Sequence, residues 1–127
     1  MKPPLLSIGL ILTLLTIGAG CDSGKSGGGA PAGDSALMAP AGSAGRMEND
    51  EGVGHFTQGH WEVAEGHFRK AIAADPNSAE AHYNLALALD KEGKHGDATV
   101  AFKKAAELAP TNPAIKDSPI LKKHIGM

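Results

Sequence analysis

The chain has 127 residues, with 12 Lys and Arg against 14 Asp and Glu, a formal net charge of −2, 17 Gly, 8 Pro and one Cys. This balance lacks the basic field of a nucleic-acid-binding protein, so no nucleic-acid partner is expected. A single thiol excludes an intrachain disulfide, and the fold must rest on packing alone.

At the N-terminus, Lys2 gives a positive start and Leu5 to Ala19 is apolar apart from Ser7, Thr13 and Thr16. The small residues Gly18, Ala19 and Gly20 then precede Cys21. This is the layout of a secretory signal peptide, assigned here to residues 1–20. The run falls short of the roughly 20 apolar residues that a membrane-spanning helix needs. Gly18-Ala19-Gly20-Cys21 resembles the bacterial lipoprotein signal, departing from it at Gly18, where that family prefers Leu, Val or Ile. The resemblance implies that Cys21 becomes the mature N-terminus and carries lipid on its sulfur and amine. The chain is then expected in the bacterial cell envelope, anchored to a membrane by lipid, with its domain outside the cytoplasm on the periplasmic side. The alternatives are an uncleaved apolar anchor, or an ordinary cleaved signal with a spare thiol. Asp22 does not choose the leaflet.

Residues 22–46 are Gly, Ala, Ser and Pro with almost no large apolar side chain. Such a tract buries too little surface to offset its ordering entropy, so it is expected to be a disordered tether. About 25 residues of this composition have an r.m.s. span on the order of 25–30 Å.

A folded domain is expected over 47–127. Gly59, Trp61, Ala64, Phe68, Ala71 and Pro76 recur 34 residues later as Gly93, His95, Ala98, Phe102, Ala105 and Pro110. The Ala-x3-Phe-x2-Ala spacing puts small, aromatic and small residues on one helical face, so a neighbouring helix can approach closely. Pro76 and Pro110 end their helices. Helices are predicted near 47–58, 61–74, 79–92 and 95–108. Asn77 or Ser78 caps the third, and Asn77 with Glu80 has the spacing of a capping box. Ala81, Leu85, Ala88 and Leu89 form the buried stripe of that helix, with Tyr83 and Leu87 as a second stripe. The first helix is weaker: Glu51 stands where the second copy has Leu85, and Gly52 and Gly54 each cost about 1 kcal/mol relative to Ala.

A 34-residue helix–turn–helix period with these residues resembles the tetratricopeptide repeat. The resemblance implies an all-α fold of two tandem units, about 45–78 and 79–112, followed by a tail over 113–127. In that tail Ser118 as cap and Pro119 as first helical residue start a short capping helix. Ile120, Leu121 and Ile125 are expected to cover the second unit, with Lys122, Lys123 and His124 kept wet. Two repeats and a cap lie below the usual minimum of about three, so the cap, self-association or a partner must complete the stack.

The family's concave groove is lined by the first helix of each unit, at positions that carry over to Asn49, Val53, Phe56 and Thr57, and to Tyr83, Asn84, Leu87, Asp90 and Lys91. Tyr83 and Asn84 are the foremost candidates for holding an extended or helical peptide. The alternative is that Phe56, Tyr83 and Leu87 pack between helices. Asn49 and Asn84 alone do not make the basic clamp that some relatives use for acidic C-termini.

Other motifs carry little. Ala19 with Gly24-Lys25-Ser26 fits a relaxed phosphate-loop pattern but straddles the signal boundary, without the strand and helix its mechanism needs. Six histidines show no spacing of three or four on one helix, so no metal site and no cofactor is expected. No Gly-x-Ser-x-Gly elbow exists, and the one thiol is assigned to lipid, so no catalytic residue is expected. The sequence therefore reads as a non-enzymatic, membrane-tethered adaptor for an envelope protein or peptide. The alternative is a self-assembling scaffold in which repeats stack as a homo-oligomer. A small-ligand accessory domain is a third reading, and two repeats can hardly build the closed pocket it needs.

Overall fold

The computed structural model describes residues 35–127. The signal segment 1–20, Cys21 and the first part of the tether lie outside the described residues. Six helices follow: α1 (Arg46–Thr57), α2 (Trp61–Ala74), α3 (Ala79–Lys91), α4 (His95–Leu108), α5 (Pro113–Lys116) and α6 (Pro119–Ile125). They pair in sequence, α1 with α2 and α3 with α4. Helix α2 packs on α3 between the units, and α6 closes on α4. No helix among the described residues is long and apolar enough to cross a membrane.

The 34-residue repeat is repeated in the backbone. Gly59 and Gly93 sit at φ +80° and +79°, a left-handed conformation that glycine adopts without a Cβ penalty. Each closes its helix end in the same way. Gly59 N–H donates to Phe56 O and His60 N–H to His55 O; Gly93 N–H donates to Asp90 O and Lys94 N–H to Leu89 O. On the second helices Ala64, Phe68 and Ala71, and Ala98, Phe102 and Ala105, are all fully buried. The small residues admit the neighbouring helix and the phenyl rings fill the space between.

The first helix forms a full α1 despite its two interior glycines, and Gly52 has a reason to be there. A Cβ at Gly52 would lie 2.6 and 2.7 Å from Phe68 ring carbons. The missing side chain is what lets α1 approach α2. Glu51 is exposed and reaches His67 at 3.5 Å, so the place of Leu85 in the second unit is taken by a surface charge in the first.

Two local expectations need correction. Helix α3 is capped by Ser78, whose Oγ accepts from Ala81 N–H, and not by an Asn77–Glu80 box; Asn77 instead donates its own N–H to Asp75. One residue of offset moves the cap, because Ser78 adopts the extended conformation from which a side-chain oxygen can reach back. The tail also holds the extra helix α5, with Asn112 as cap and Pro113 at its first turn. Its Ile115 is fully buried, beside Leu121 of α6. Ile120 and Ile125 lie partly buried against the same core, as expected of a cap.

A larger difference lies before α1. The tether was expected to run through residue 46, yet residues 36–39 are held against the helices. Ala36 and Leu37 pack on the core and Ala39 is buried. The physical reason is polar, as the groove makes clear.

Candidate peptide-binding groove

Helices α1 and α3 lie side by side, and their facing surfaces carry Asn49, Asp50 and Asn84. Both asparagines are 0% exposed. Asn84 Nδ2 donates to Asn49 Oδ1 at 2.8 Å, which locks the two amides together across the helices. Their remaining groups grip the backbone of a single residue. Leu37 N–H donates to Asn84 Oδ1 at 2.6 Å, and Leu37 O accepts from Asn84 Nδ2 at 2.7 Å and from Asn49 Nδ2 at 2.9 Å. Two residues further on, Ala39 N–H donates to Asp50 Oδ1 at 3.1 Å, and Asp50 also accepts from Asn49 Nδ2.

Asp50 and Asn84 are 34 residues apart, so they occupy the same position in the two repeats. Each takes one backbone N–H from the same segment, at alternate residues 37 and 39. Alternate residues of an extended chain face one side, about 6.6 Å apart, which is a spacing that neighbouring helices can match. Recognition through main-chain groups fixes the direction and extension of a peptide, with side-chain pockets left to choose its sequence. A buried amide left without its partners costs about 1–3 kcal/mol, so the groove needs something in the place of Leu37.

The other expected groove residues divide. Val53 is partly buried against the core, Thr57 is exposed with its hydroxyl on Gly54 O, and Lys91 is exposed. Phe56, Tyr83 and Leu87 pack between helices. Phe56 meets Trp61 edge-on at 4.9 Å, and Tyr83 meets Phe102 edge-on at 5.6 Å. Tyr83 is 1% exposed, and its hydroxyl lies 2.8 Å from Ser118 Oγ, tying the cap to α3. Tyr83 therefore offers no open surface, whereas Asn84 does hold peptide backbone. Only the edge of the tyrosine lines a notch of about 200 Å³ shared with Leu37, Pro113 and Asp117.

Asp90 turns away from this clamp. Its Oδ1 lies 2.8 Å from both His95 Nδ1 and His124 Nε2. Burial alone would raise its pKa, but hydrogen bonds from the two imidazoles outweigh this and lower it below the ordinary value. The spacing rule applied to the histidines could not see this trio, because it is assembled from α3, α4 and α6. A second group, Glu48, Glu51 and His67, gathers on the first unit, with His67 Nδ1 2.8 Å from Glu48 Oε2.

Asp50 is the groove residue that sequence reasoning missed. Its signal was present: it is Asn84 minus 34.

A tetratricopeptide repeat profile matches residues 49–113, just over half of the chain, and the chain belongs to that family. Such repeats serve as protein-binding modules rather than catalysts. Among characterised proteins, a 49-residue stretch is 43% identical to the cytochrome c-type biogenesis protein CycH of Rhizobium meliloti (strain 1021). That stretch covers 39% of this chain and 13% of the relative, so the chain spans a small part of the protein it matches.

Proposed function

We propose that the protein is a non-enzymatic adaptor of the bacterial envelope, tethered by lipid on Cys21, whose α1–α3 groove binds an extended segment of a partner protein. The observation that carries this reading is the clamp on Leu37: two buried asparagines, one of them at the repeat position of Asp50, and Asp50 itself read a peptide main chain. The chain's own segment fills the groove and marks the shape of what it takes, an extended stretch with an aliphatic residue where Leu37 sits and a small one two residues on. A partner displaces that segment. The likeness to a cytochrome c-type biogenesis protein lies in the repeats, and it supports the adaptor class rather than a pathway.

The test is in-cell photocrosslinking from Lys91, an exposed residue at the end of α3, in three backgrounds. Adducts to one distinct envelope protein are expected, reduced by Asn84→Ala and increased by Leu37→Gly, which weakens the competing segment. Adducts only between copies of the chain would favour the self-assembling scaffold instead. Cys21→Ser should release the protein from the membrane fraction; unchanged fractionation would favour an uncleaved apolar anchor.

A further inference from the structure

We propose that Asp90, His95 and His124 form a binding site for one divalent transition-metal ion of the zinc or copper class, which pins the capping helix to the second repeat. The donors come from the end of α3, the first residue of α4 and the end of α6. Their ligand atoms all lie within 4.8 Å of one another. Two imidazoles and a carboxylate suit zinc, copper, nickel or cobalt, and not magnesium or calcium, which prefer oxygen alone. Tetrahedral zinc with bonds of about 2.0–2.2 Å sets its donors about 3.3 Å apart. Asp90 Oδ1 now stands 2.8 Å from each imidazole nitrogen, so these two contacts need open by only about half an ångström to admit an ion of that size.

The contacts around His124 hold its ring beside the carboxylate, as a ligand must be held. Thr99 Oγ1 donates its one proton to His95 O at 2.9 Å. The same hydroxyl oxygen lies 3.0 Å from His124 Nδ1. The other ring nitrogen, Nε2, lies 2.8 Å from Asp90 Oδ1. That nitrogen can either donate to the carboxylate or, with its lone pair free, share a metal ion with it. A ligating histidine usually has a hydrogen-bond partner on its far nitrogen, and Thr99 stands in that place. The ring is also held by Phe102, with centroids 5.0 Å apart, and its side chain is 10% exposed. His95, at 68% exposed, is the donor that closes over an entering ion and leaves room for water.

The fold does not require this trio. Asp90 and His95 occupy the repeat positions of Phe56 and Trp61, where the first unit makes an aromatic contact. The second unit has given up that packing for donors, at the place where a third residue arrives from the cap. An ion there would supply the closure that two repeats lack.

The test uses the full chain in detergent, stripped with chelator and titrated with zinc by calorimetry, with cobalt as a spectroscopic probe. Saturable binding of one zinc per chain, a rise in melting temperature and the visible absorption of low-symmetry cobalt are expected. His95→Gln, at an exposed position, should weaken zinc by tenfold or more, on the order of what losing one ligand costs. His67→Gln, in the Glu48–Glu51 group, should leave binding unchanged. Absence of saturable binding would mean that the trio is held by hydrogen bonds alone. Loss of binding in His67→Gln with retention in His95→Gln would move the site to the first unit. Either result overturns the proposal.

Discussion

The two repeats share a backbone and differ in what they do with it. At the turn between their helices, Gly59 and Gly93 and the bonds that flank them superpose in sequence at an offset of 34. The side chains beside that turn diverge: Phe56 against Trp61 in the first unit, Asp90 against His95 in the second. The facing helices diverge as well. Gly52 lets α1 settle on Phe68, whereas its counterpart Ala86 is accommodated with its Cβ and fully buried. The difference teaches which positions the fold demands. Glycine at the turn and Ala, Phe, Ala on the second helix are held in both copies. The positions between them are free to carry a packing pair, a clamp or a polar cluster.

The strongest way to break the comparison is a charge at a position both units hold fixed. Ala98→Glu should unfold the second unit, at a cost of several kcal/mol, because it buries an unpaired carboxylate at a close helix contact. The cap leans on that unit through Ile115 and Leu121, so helical content should fall across α3–α6. Unchanged circular dichroism and melting temperature would contradict the repeat packing. Gly52→Ala sharpens the contrast at a position the units do not share. The methyl group gains about 1 kcal/mol of helix propensity but strikes the buried Phe68 ring, and overpacking of this kind costs about 1–3 kcal/mol. Net destabilisation by thermal melting is expected; a higher melting temperature would show that α1 does not need its close approach.

The smallest effect concerns the link between units. Glu65 of α2 lies 2.8 Å from Lys94, at the turn before α4, and 2.7 Å from Arg69. Burial would raise its pKa, but hydrogen bonds from Lys94 and Arg69 outweigh this and lower it from 4.5 to about 2. A carboxylate whose pKa is depressed by folding stabilises the fold fully above its unfolded value, and that contribution fades as pH falls toward the folded value. Wild-type stability should therefore carry a component lost between about pH 4.5 and pH 2. Glu65→Gln should remove that component while leaving the rest of the acid limb in place. An identical acid profile in the two proteins would show that the link contributes nothing.

Much of the fold was legible because it is local or periodic. Pro76 and Pro110 mark where helices stop, Ser118-Pro119 where the last one starts, and the 34-residue offset pairs the buried alanines and phenylalanines. What was hidden depends on contacts distant in sequence. Composition made residues 22–46 read as a tether throughout, because Leu37 and Met38 are isolated among small residues. The docking of Leu37 rests on its backbone and on amides 12 and 47 residues away, which leave no local pattern. Tyr83 carried no sign that Ser118, 35 residues on, would draw its hydroxyl into the core. The site was half visible: Asn49 and Asn84 came from the family's groove positions, while Asp50 required the repeat offset to be applied to Asn84.

The most direct test of the account is the hydrogen-exchange rate of the Leu37 amide in the full chain, compared with the Asn84→Ala variant. A segment held in the groove predicts slow exchange in the wild type and rapid exchange in the variant, with α3 still protected in both. Exchange at the free-chain rate in the wild type would mean that the groove stands open and that nothing in the chain competes for it.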